Sequence, residues 1–161
     1  TRKESSAASD VYKRQVGAGP YGDHLRKLVS DLDLTDSVTF IGRIQYKELP
    51  KYISAGDIFA MPSRSRLAGL EVEGLGIVYL EASACGLPVI AGKSGGAPDA
   101  VLEGVTGVTV DGTSIFDVAN AISKMLSDGE SAAKMGTAGR NWIEENWRWD
   151  FWAAEFNKLL R

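Results

Sequence analysis

The sequence predicts an α/β domain built around an open parallel sheet. From Val16 onward, short apolar runs alternate with amphipathic stretches, which is the pattern of repeated βα units. The chain has 161 residues, enough for one compact domain with a core of its own. A composition of 44% hydrophobic and 24% charged residues is that of an ordinary globular protein and excludes a disordered or collagen-like chain.

The first half of the chain contains two predicted helices and two predicted strands. Residues 22–32 form a predicted helix, because leucine and valine recur there at i, i+3, i+4 and i+7. The apolar run 38–42 is a predicted strand that ends at a glycine. Residues 47–55 are a short predicted helix with Pro50 in its first turn, where proline is tolerated. The next predicted strand, 58–61, is stopped by the proline that follows it.

The second half continues the alternation. Residues 74–84 form a predicted helix. Its expected inward side chains are Ile77, Leu80, Ala84 and Cys85. A strand, a short helix and a further strand follow at 88–91, 97–102 and 107–110.

The chain is predicted to end in three helices. Ser114 is the predicted N-cap of a helix over 115–126, because its hydroxyl can accept a hydrogen bond from a first-turn amide. Two more helices are predicted at 132–146 and 150–160. The aromatic residues expected to pack in the core, on helical spacing, are Trp149, Trp152 and Phe156.

Residues 1–15 are polar and charged and show neither hydrophobic period. We expect them to be a disordered or non-native leader, so that the domain itself covers 16–161. A helix packed on a parallel sheet needs a strand leading into it, yet only Val16 precedes the glycine-rich turn that begins at Gly17. The first strand is therefore expected to be truncated.

Composition alone excludes several classes of protein. A single cysteine cannot form an intramolecular disulfide, which argues against a disulfide-built secreted scaffold. One histidine and one cysteine cannot supply the usual zinc ligand sets. The net charge of -3 argues against electrostatic binding of nucleic acid. No apolar run approaches the ~20 residues that a membrane-spanning helix needs.

One candidate function rests on the turn from Gly17 to Gly22. It fits G-x-G-x-x-G, in which the glycines let the backbone approach a pyrophosphate at a helix N-terminus. Asp36 lies at about the spacing of an acid that would bind the ribose. Pro20 removes one amide from the phosphate cradle. A dinucleotide-dependent oxidoreductase therefore stays open as an alternative, beside an ordinary strand-to-helix turn.

The segment 62–81 crosses a polar loop between a strand and a helix, which is where ligands of open α/β sheets bind. Glu73 is expected at the helix start and Glu81 about two turns later. A carboxylate at the second position can accept two hydrogen bonds from a vicinal diol such as ribose. Taken alone, the two glutamates could equally be a helix-dipole partner and a solvated helix residue. The unpaired amides expected to face a ligand are those of Gly74, Leu75, Gly76 and Ile77.

A second glycine-rich loop, 94–99, follows the third predicted strand. The amides of Gly95 and Gly96 are expected to form another cradle for phosphate or hydroxyl groups at the same edge of the sheet. A tight turn followed by a helix cap explains the loop equally well. Arg64 and Arg66 could recruit phosphate, or could be ordinary solvated arginines of an exposed loop.

These segments together carry a family resemblance. Glu73-x7-Glu81 is followed by A-S-A-C-G-L-P-V at 82–89 and by G-G-A-P-D at 95–99. This arrangement resembles the C-terminal nucleotide-binding domain of retaining GT-B glycosyltransferases of family 4, over nearly all of the chain. With the preceding S-R-S-R loop, the motif looks most like the GDP-mannose-dependent phosphatidylinositol mannoside mannosyltransferases and their relatives.

The resemblance implies roles for individual residues. Glu81 would hold the ribose hydroxyls of the sugar nucleotide, and Glu73 would contact the transferred sugar as the catalytic residue. The amides that would face the sugar and the diphosphate belong to Gly74, Leu75, Gly76 and Ile77. The turn that would line the base pocket is Gly42-Arg43-Ile44.

The resemblance also implies the fold and the reaction. The fold would be a Rossmann-like open parallel sheet flanked by helices, the C-terminal half of a GT-B glycosyltransferase. The reaction would transfer a hexose, with mannose from GDP-mannose as the expected donor, to a hydroxyl of a glycolipid or glycan with retention of configuration. No metal ion or other cofactor is expected, because amides and basic side chains would stabilise the leaving group.

The resemblance further implies that the chain is a fragment. By this resemblance, the N-terminal domain that binds the acceptor would lie outside the given sequence, and so would the family's Arg and Lys that hold the diphosphate ahead of Gly17. We expect a cytoplasmic fragment that binds a nucleotide sugar weakly and does not turn over. Any association with the inner face of the membrane would be made through the missing domain. A sugar-nucleotide-binding module that never catalyses is the non-enzyme alternative.

Overall fold

The computed structural model of the chain describes residues 12–160. They belong to two compact units, which divide between Leu49 and Pro50. Every named strand is parallel to the strand beside it, and helices alternate with strands along the chain. The predicted α/β class with parallel strands is confirmed.

The first unit contains a two-stranded parallel sheet. Its elements are β1 (Lys13–Val16), α1 (Gly22–Asp31), β2 (Val38–Gly42) and a short 3-10 helix (Tyr46–Glu48). Lys13 lies opposite Val38 in the pairing of β1 with β2. The Arg26 guanidinium of α1 lies 4.6 Å from the centre of the Phe40 ring in β2. A further short helix, α2 (Leu49–Ile53), begins at the last residue of this unit.

The first strand is longer than the sequence pattern predicts. Val16 is its last residue, but Lys13, Arg14 and Gln15 also pair with β2. The first two residues of β1 are exposed, so polar side chains are compatible with the strand, and hydrophobicity alone could not reveal it. Residues 1–11 of the predicted leader lie outside the described residues.

The second unit contains a three-stranded parallel sheet in the order β3-β4-β5. The strands are β3 (Phe59–Met61), β4 (Val89–Gly92) and β5 (Gly107–Val110). Val89 lies opposite Phe59 on one side and Gly107 on the other. Every residue of β4 is buried, which explains its continuously apolar sequence, because a central parallel strand is covered on both faces.

The two longest helices of this unit begin at capping side chains. Besides most of α2 and two short 3-10 helices (Leu67–Gly69 and Ala97–Ala100), the unit contains α3 (Ile77–Ala84), α4 (Ile115–Ser127), α5 (Gly129–Asn146) and α6 (Trp149–Leu159). Ser114 Oγ accepts a hydrogen bond from the Asp117 amide at 3.1 Å, which confirms the predicted cap of α4. Asp128 accepts one from the Ser131 amide at 3.0 Å, so α5 begins earlier than predicted. Within residues 12–160, no helix has the length and apolar character to cross a membrane.

The buried face of α3 differs from the predicted one. Its buried side chains are Tyr79, Ala82 and Ser83. Of the predicted inward set, Ile77 is 64% exposed, Ala84 is exposed, and the half-buried members are Leu80 and Cys85. Because α3 is apolar almost all round, the spacing of its apolar residues could not identify the covered face. The predicted inward set is therefore wrong.

The aromatic side chains of α6 are exposed. Trp149 is 88% exposed, and the other two that the spacing assigned to the core, Trp152 and Phe156, are also exposed. Helical spacing shows that side chains share one side of a helix, but it does not show that anything covers that side. The predicted core packing is wrong for the part of the chain that the structure describes.

Helix α5 approaches the end of α3 without room for a side chain. A Cβ added at Gly136 would lie 2.1 Å from the Gly86 carbonyl oxygen, and one at Gly139 would lie 3.3 Å from Ser83 Oγ. The buried Ser83 hydroxyl has no hydrogen-bond partner among the described residues. Close backbone packing thus outweighs the low helix propensity of glycine in α5.

Gly136→Ala is expected to destabilise the protein, because the added methyl overlaps a backbone carbonyl. Overpacking of this kind costs about 1–3 kcal/mol, more than the ~1 kcal/mol that alanine gains over glycine in a helix. Gly129→Ala is the matched control, since nothing among the described residues lies within 4 Å of its added Cβ. Denaturant unfolding should show a loss for Gly136→Ala alone, and equal changes in both variants would contradict the close contact.

Candidate functional site

The candidate site lies where the three strands of the second unit end. Their last residues are Met61, Gly92 and Val110. Because the strands are parallel, the loops that follow them leave from one edge of the sheet, which is the usual position of a ligand site in open α/β sheets. The loops 62–76 and 93–96 contain most of the predicted site residues.

The backbone of Glu73 is held by the loop 94–96. Ser94 Oγ accepts a hydrogen bond from the Glu73 amide at 3.2 Å. The Gly96 amide lies 3.0 Å from the carbonyl oxygens of both Glu73 and Gly74 and donates to them. Both peptide groups of Glu73 are therefore fixed by the chain itself, while its side chain is half-buried.

Only glycine fits at two positions of this contact. A Cβ at Gly95 would lie 1.9 Å from the Glu73 carbonyl oxygen, and one at Gly96 would lie 2.1 Å from that of Gly74. Gly95 also has a φ of +53°, a conformation that glycine adopts without strain. The pattern predicted a ligand cradle from the Gly95 and Gly96 amides, but the Gly96 amide is directed at carbonyl groups of the chain.

Helix α3 begins three residues later than predicted. Gly76 has a φ of +72°, and its added Cβ would lie 2.3 Å from the Tyr79 ring, so the chain turns sharply there before Ile77. Glu73 therefore lies ahead of the helix and not at its first residue. Glu81, half-buried, lies in the second turn of α3.

The peptide groups between Glu73 and the helix keep their donors available. Among the described residues, no acceptor receives a hydrogen bond from the amides of Gly74, Leu75, Gly76 and Ile77. The helix dipole adds partial positive charge at this end of α3. Unpaired amides at a helix N-terminus can bind a phosphate or a sugar hydroxyl.

Tyr79 is a residue of this region that the sequence pattern missed. Its side chain is fully buried, and its hydroxyl donates to the Met61 carbonyl at 2.7 Å. Since the single phenolic hydrogen is used there, the Ser63 hydroxyl 3.0 Å away donates to Tyr79. Burial, and to a smaller degree the negative charge of Glu73, raises the pKa of Tyr79. The sequence does contain a signal for this contact, a tyrosine within an apolar helix, because the hydroxyl of a buried phenol needs a hydrogen-bond partner.

The two loop arginines differ in their partners. The Arg66 and Glu71 backbones exchange hydrogen bonds of 2.8 and 3.2 Å, and their side chains form an exposed ion pair at 3.5 Å. Arg64 is exposed. Between the paired residues the chain turns through Leu67 and Ala68, which have φ values of 50° and 54°. Non-glycine residues rarely adopt this strained region.

The predicted base-pocket residues belong to the first unit. Gly42 ends β2 with a φ of +80°, and its carbonyl accepts a hydrogen bond from the Gly17 amide at 2.8 Å. Arg43 is exposed and Ile44 is half-buried. The assignment of Gly42, Arg43 and Ile44 to a base pocket stays a prediction.

The glycine-rich turn of the first unit lacks the packing that a dinucleotide site uses. In that motif the third glycine lets the helix pack closely on the strand. Added Cβ atoms at Gly17, Gly19 and Gly22 would meet nothing within 4 Å among the described residues. The turn is thus explained by the positive φ of Gly17, 109°. Across residues 12–160, no cluster of three or more His, Cys, Asp or Glu side chains could hold a metal ion.

Sequence comparison relates the chain to sugar-transferring enzymes. The family described as glycosyl transferases group 1 matches residues 8–142. A GDP-mannose-dependent alpha-(1-6)-phosphatidylinositol monomannoside mannosyltransferase of Mycolicibacterium smegmatis is 52% identical over 145 residues, which cover 90% of this chain and 38% of that protein. A GDP-mannose-dependent enzyme of Corynebacterium glutamicum that acts on the monoacylated glycolipid is 43% identical, over 97% of this chain and 40% of its own.

Solved structures give the same relationship. Sucrose-phosphate synthase of Thermosynechococcus elongatus superposes with a TM-score of 0.80 at 32% identity, over 92% of this chain and 37% of that one. Anabaena HepE, in complex with UDP, superposes with a TM-score of 0.81 at 25% identity, over 95% of this chain and 41% of that one. The chain therefore spans about two fifths of the length of these proteins.

Tyr79→Phe is expected to cost about 1 kcal/mol near pH 7, because it leaves the Met61 carbonyl without its donor. The pKa of Tyr79 is raised in the folded protein, so its contribution to stability is complete below the ordinary tyrosine pKa of about 10 and is lost as the pH rises through the higher folded pKa. The stability difference between wild type and Tyr79→Phe should therefore shrink above about pH 10.

Denaturant unfolding at several pH values measures this difference, with Tyr52→Phe, at an exposed position, as the control. A difference that stays constant across that range would contradict the buried, hydrogen-bonded phenol.

Proposed function

The chain belongs to the glycosyl transferases group 1 family, and from this premise we propose that it is the donor-binding part of a retaining mannosyltransferase that uses GDP-mannose. The observation that carries the proposal is the row of unpaired amides from Gly74 to Ile77, next to the fixed backbone of Glu73. The identity of 52% with a relative described as GDP-mannose-dependent supports the choice of donor.

The proposed roles follow the two glutamates. Glu81 would accept hydrogen bonds from the ribose hydroxyls, because a carboxylate can bind a vicinal diol with both oxygens. Glu73 would contact the transferred mannose. The base would meet the turn Gly42-Arg43-Ile44, and further phosphate contacts would come from Arg64 and Arg66. The exposed ion pair of Arg66 with Glu71 contributes little to stability and leaves the guanidinium able to exchange partners.

In the proposed reaction the site must stabilise the leaving group, GDP. When the bond between the anomeric carbon and the diphosphate breaks, negative charge collects on the GDP oxygens. Preorganised N–H groups at the start of α3 would bind this charge without having to reorient, which is the effective form of electrostatic catalysis. The acceptor oxygen forms the new glycosidic bond, and its proton passes to the diphosphate oxygen that leaves with GDP. We expect these amides and basic side chains, and no divalent ion, to stabilise the diphosphate.

The proposal includes partners that the chain does not contain. The mycobacterial relative is about 2.6 times as long as the 145 residues that match it, and we propose that its additional length includes a domain that binds a glycolipid acceptor. The enzyme would work in the cytoplasm, with contact to the inner face of the membrane through that domain. The chain by itself would bind donor weakly and would not turn over.

Two other functions are less well supported. A dinucleotide-dependent oxidoreductase would need the Gly17–Gly22 turn as its pyrophosphate site, and within residues 12–160 no atom lies within 4 Å of a Cβ added at Gly22. A sugar-nucleotide-binding module without catalysis would keep the same donor contacts. Turnover by the longer protein distinguishes the module from the transferase.

Titration of this chain with GDP, UDP and NAD tests the class of ligand. GDP is expected to bind ahead of UDP, because the chain is 52% identical to a relative described as GDP-mannose-dependent. Both should bind ahead of NAD, because the amides from Gly74 to Ile77 favour a terminal diphosphate. NMR shift changes or calorimetry would measure the order even at weak affinity. Clear preference for NAD would sink the transferase proposal.

Two glutamate variants separate the proposed roles. Glu81→Ala should weaken GDP binding by about 10- to 100-fold, because hydrogen bonds to a charged group contribute about 1.5–3 kcal/mol. Glu73→Gln should leave GDP binding nearly unchanged and should lower kcat in the longer protein more than it changes KM. The two variants control for each other, and the reverse order of effects would show that the roles are exchanged or misassigned.

A further inference from the structure

Ser94 joins the two ends of the exposed loop that precedes Glu73. Its side chain is 2% exposed, and its hydroxyl lies 3.1 Å from Ser65 Oγ and 3.2 Å from the Glu73 amide. Ser65 and Glu73 are eight residues apart, and all residues between them are exposed. One buried hydroxyl therefore fixes both ends of a segment that solvent surrounds.

The carbonyl side of Glu73 is fixed by the same short loop. The Gly96 amide is shared between the Glu73 and Gly74 carbonyls, and no side chain fits at Gly95 or Gly96. The Glu73 residue is thus held before and after its Cα by residues 94–96. These contacts fix the Cα from which the Glu73 side chain extends, and so limit the positions that its carboxylate can reach.

The loop itself provides little of this order. It turns through Leu67 and Ala68 in the left-handed region, which disfavours non-glycine residues. Its internal contacts are an exposed Arg66–Glu71 ion pair, which is weak, and four backbone hydrogen bonds that all lie among exposed residues. A strained, solvent-exposed loop keeps one conformation only when its surroundings impose it, and the buried contact at its ends is with Ser94.

We propose that Ser94 is a positioning residue for Glu73, and that its hydroxyl holds the Glu73 carboxylate in register with the amides that follow it. The proposal rests on the function proposed above, in which Glu73 meets the transferred sugar and Glu81 meets the ribose. Loss of the hydroxyl would therefore affect recognition of the sugar more than recognition of the nucleotide. If Ser94 only stabilised the fold, its loss would weaken recognition of the sugar and of the nucleotide to the same extent.

The test compares the affinities of this chain for GDP-mannose and for GDP. Ser94→Ala is expected to reduce the ratio of the two affinities by about 3- to 10-fold, the equivalent of one neutral hydrogen bond, while GDP binding changes little. Amide hydrogen exchange at Glu73 should become faster by a similar factor. Ser83→Ala is the matched control, because Ser83 is equally buried and its hydroxyl has no partner among the described residues.

A second variant keeps the proposal testable if Ser94→Ala folds poorly. Ser65→Ala, at an exposed position, removes only the far end of the bridge and is expected to lower the same ratio by a smaller factor. The double variant should be less than additive, since both changes break one network. An unchanged ratio in Ser65→Ala and Ser94→Ala, or unchanged exchange at Glu73, would overturn the positioning role. Failure of the wild-type chain to prefer GDP over NAD would instead overturn the proposed function.

Discussion

The backbone of Glu73 and Gly74 lies so close to residues 94–96 that only glycine fits across from it. This approach decides the arrangement of the rest of the site. It places the Gly96 amide between two carbonyls and brings the Ser94 hydroxyl to the Glu73 amide. The amides that follow, up to Ile77, have no acceptor within residues 12–160. Side chains at positions 95 and 96 would push the two loops apart. The amides at the start of α3 would then no longer be held in a fixed position relative to Glu73.

The buried sheet makes this approach possible. β4 is covered on both faces, so the loop that leaves it starts from a rigid position, and β3 beside it ends at Met61. Tyr79 connects that strand end to α3, because its hydroxyl binds the Met61 carbonyl while its ring packs under Gly76. Strand end, helix start and glycine loop are therefore connected by hydrogen bonds of two buried side chains, Tyr79 and Ser94.

The sequence predicted those elements whose signals are local. The strands at 38–42 and 107–110 have the predicted bounds, and the Ser114 cap depends only on a hydroxyl three residues from its donor. The face of α3 could not be predicted, because an almost wholly apolar helix has no polar side to mark solvent. The start of α3 was misplaced because the sequence does not show which glycine adopts the left-handed conformation; that residue is Gly76, where an added Cβ would meet the Tyr79 ring three residues later. The positions of Glu73 and Glu81 in the chain were recognisable, but the serine that holds Glu73 is an ordinary residue in a glycine-rich loop, and only the fold shows its partners.

The tie between Ser65, Ser94 and Glu73 also has an evolutionary consequence. Because the exposed segment is anchored at both ends, a change in its length is absorbed within the segment, and doubling a flexible loop costs only about 0.6 kcal/mol in closure entropy. Insertions or exchanged sequences between Ser65 and Glu73 can then vary while the anchored glutamate stays where it is. Such a segment is suited to diversify within a family, since variation there can alter the Arg66 side of the site while the contacts proposed for Glu73, Glu81 and the amides from Gly74 to Ile77 are kept.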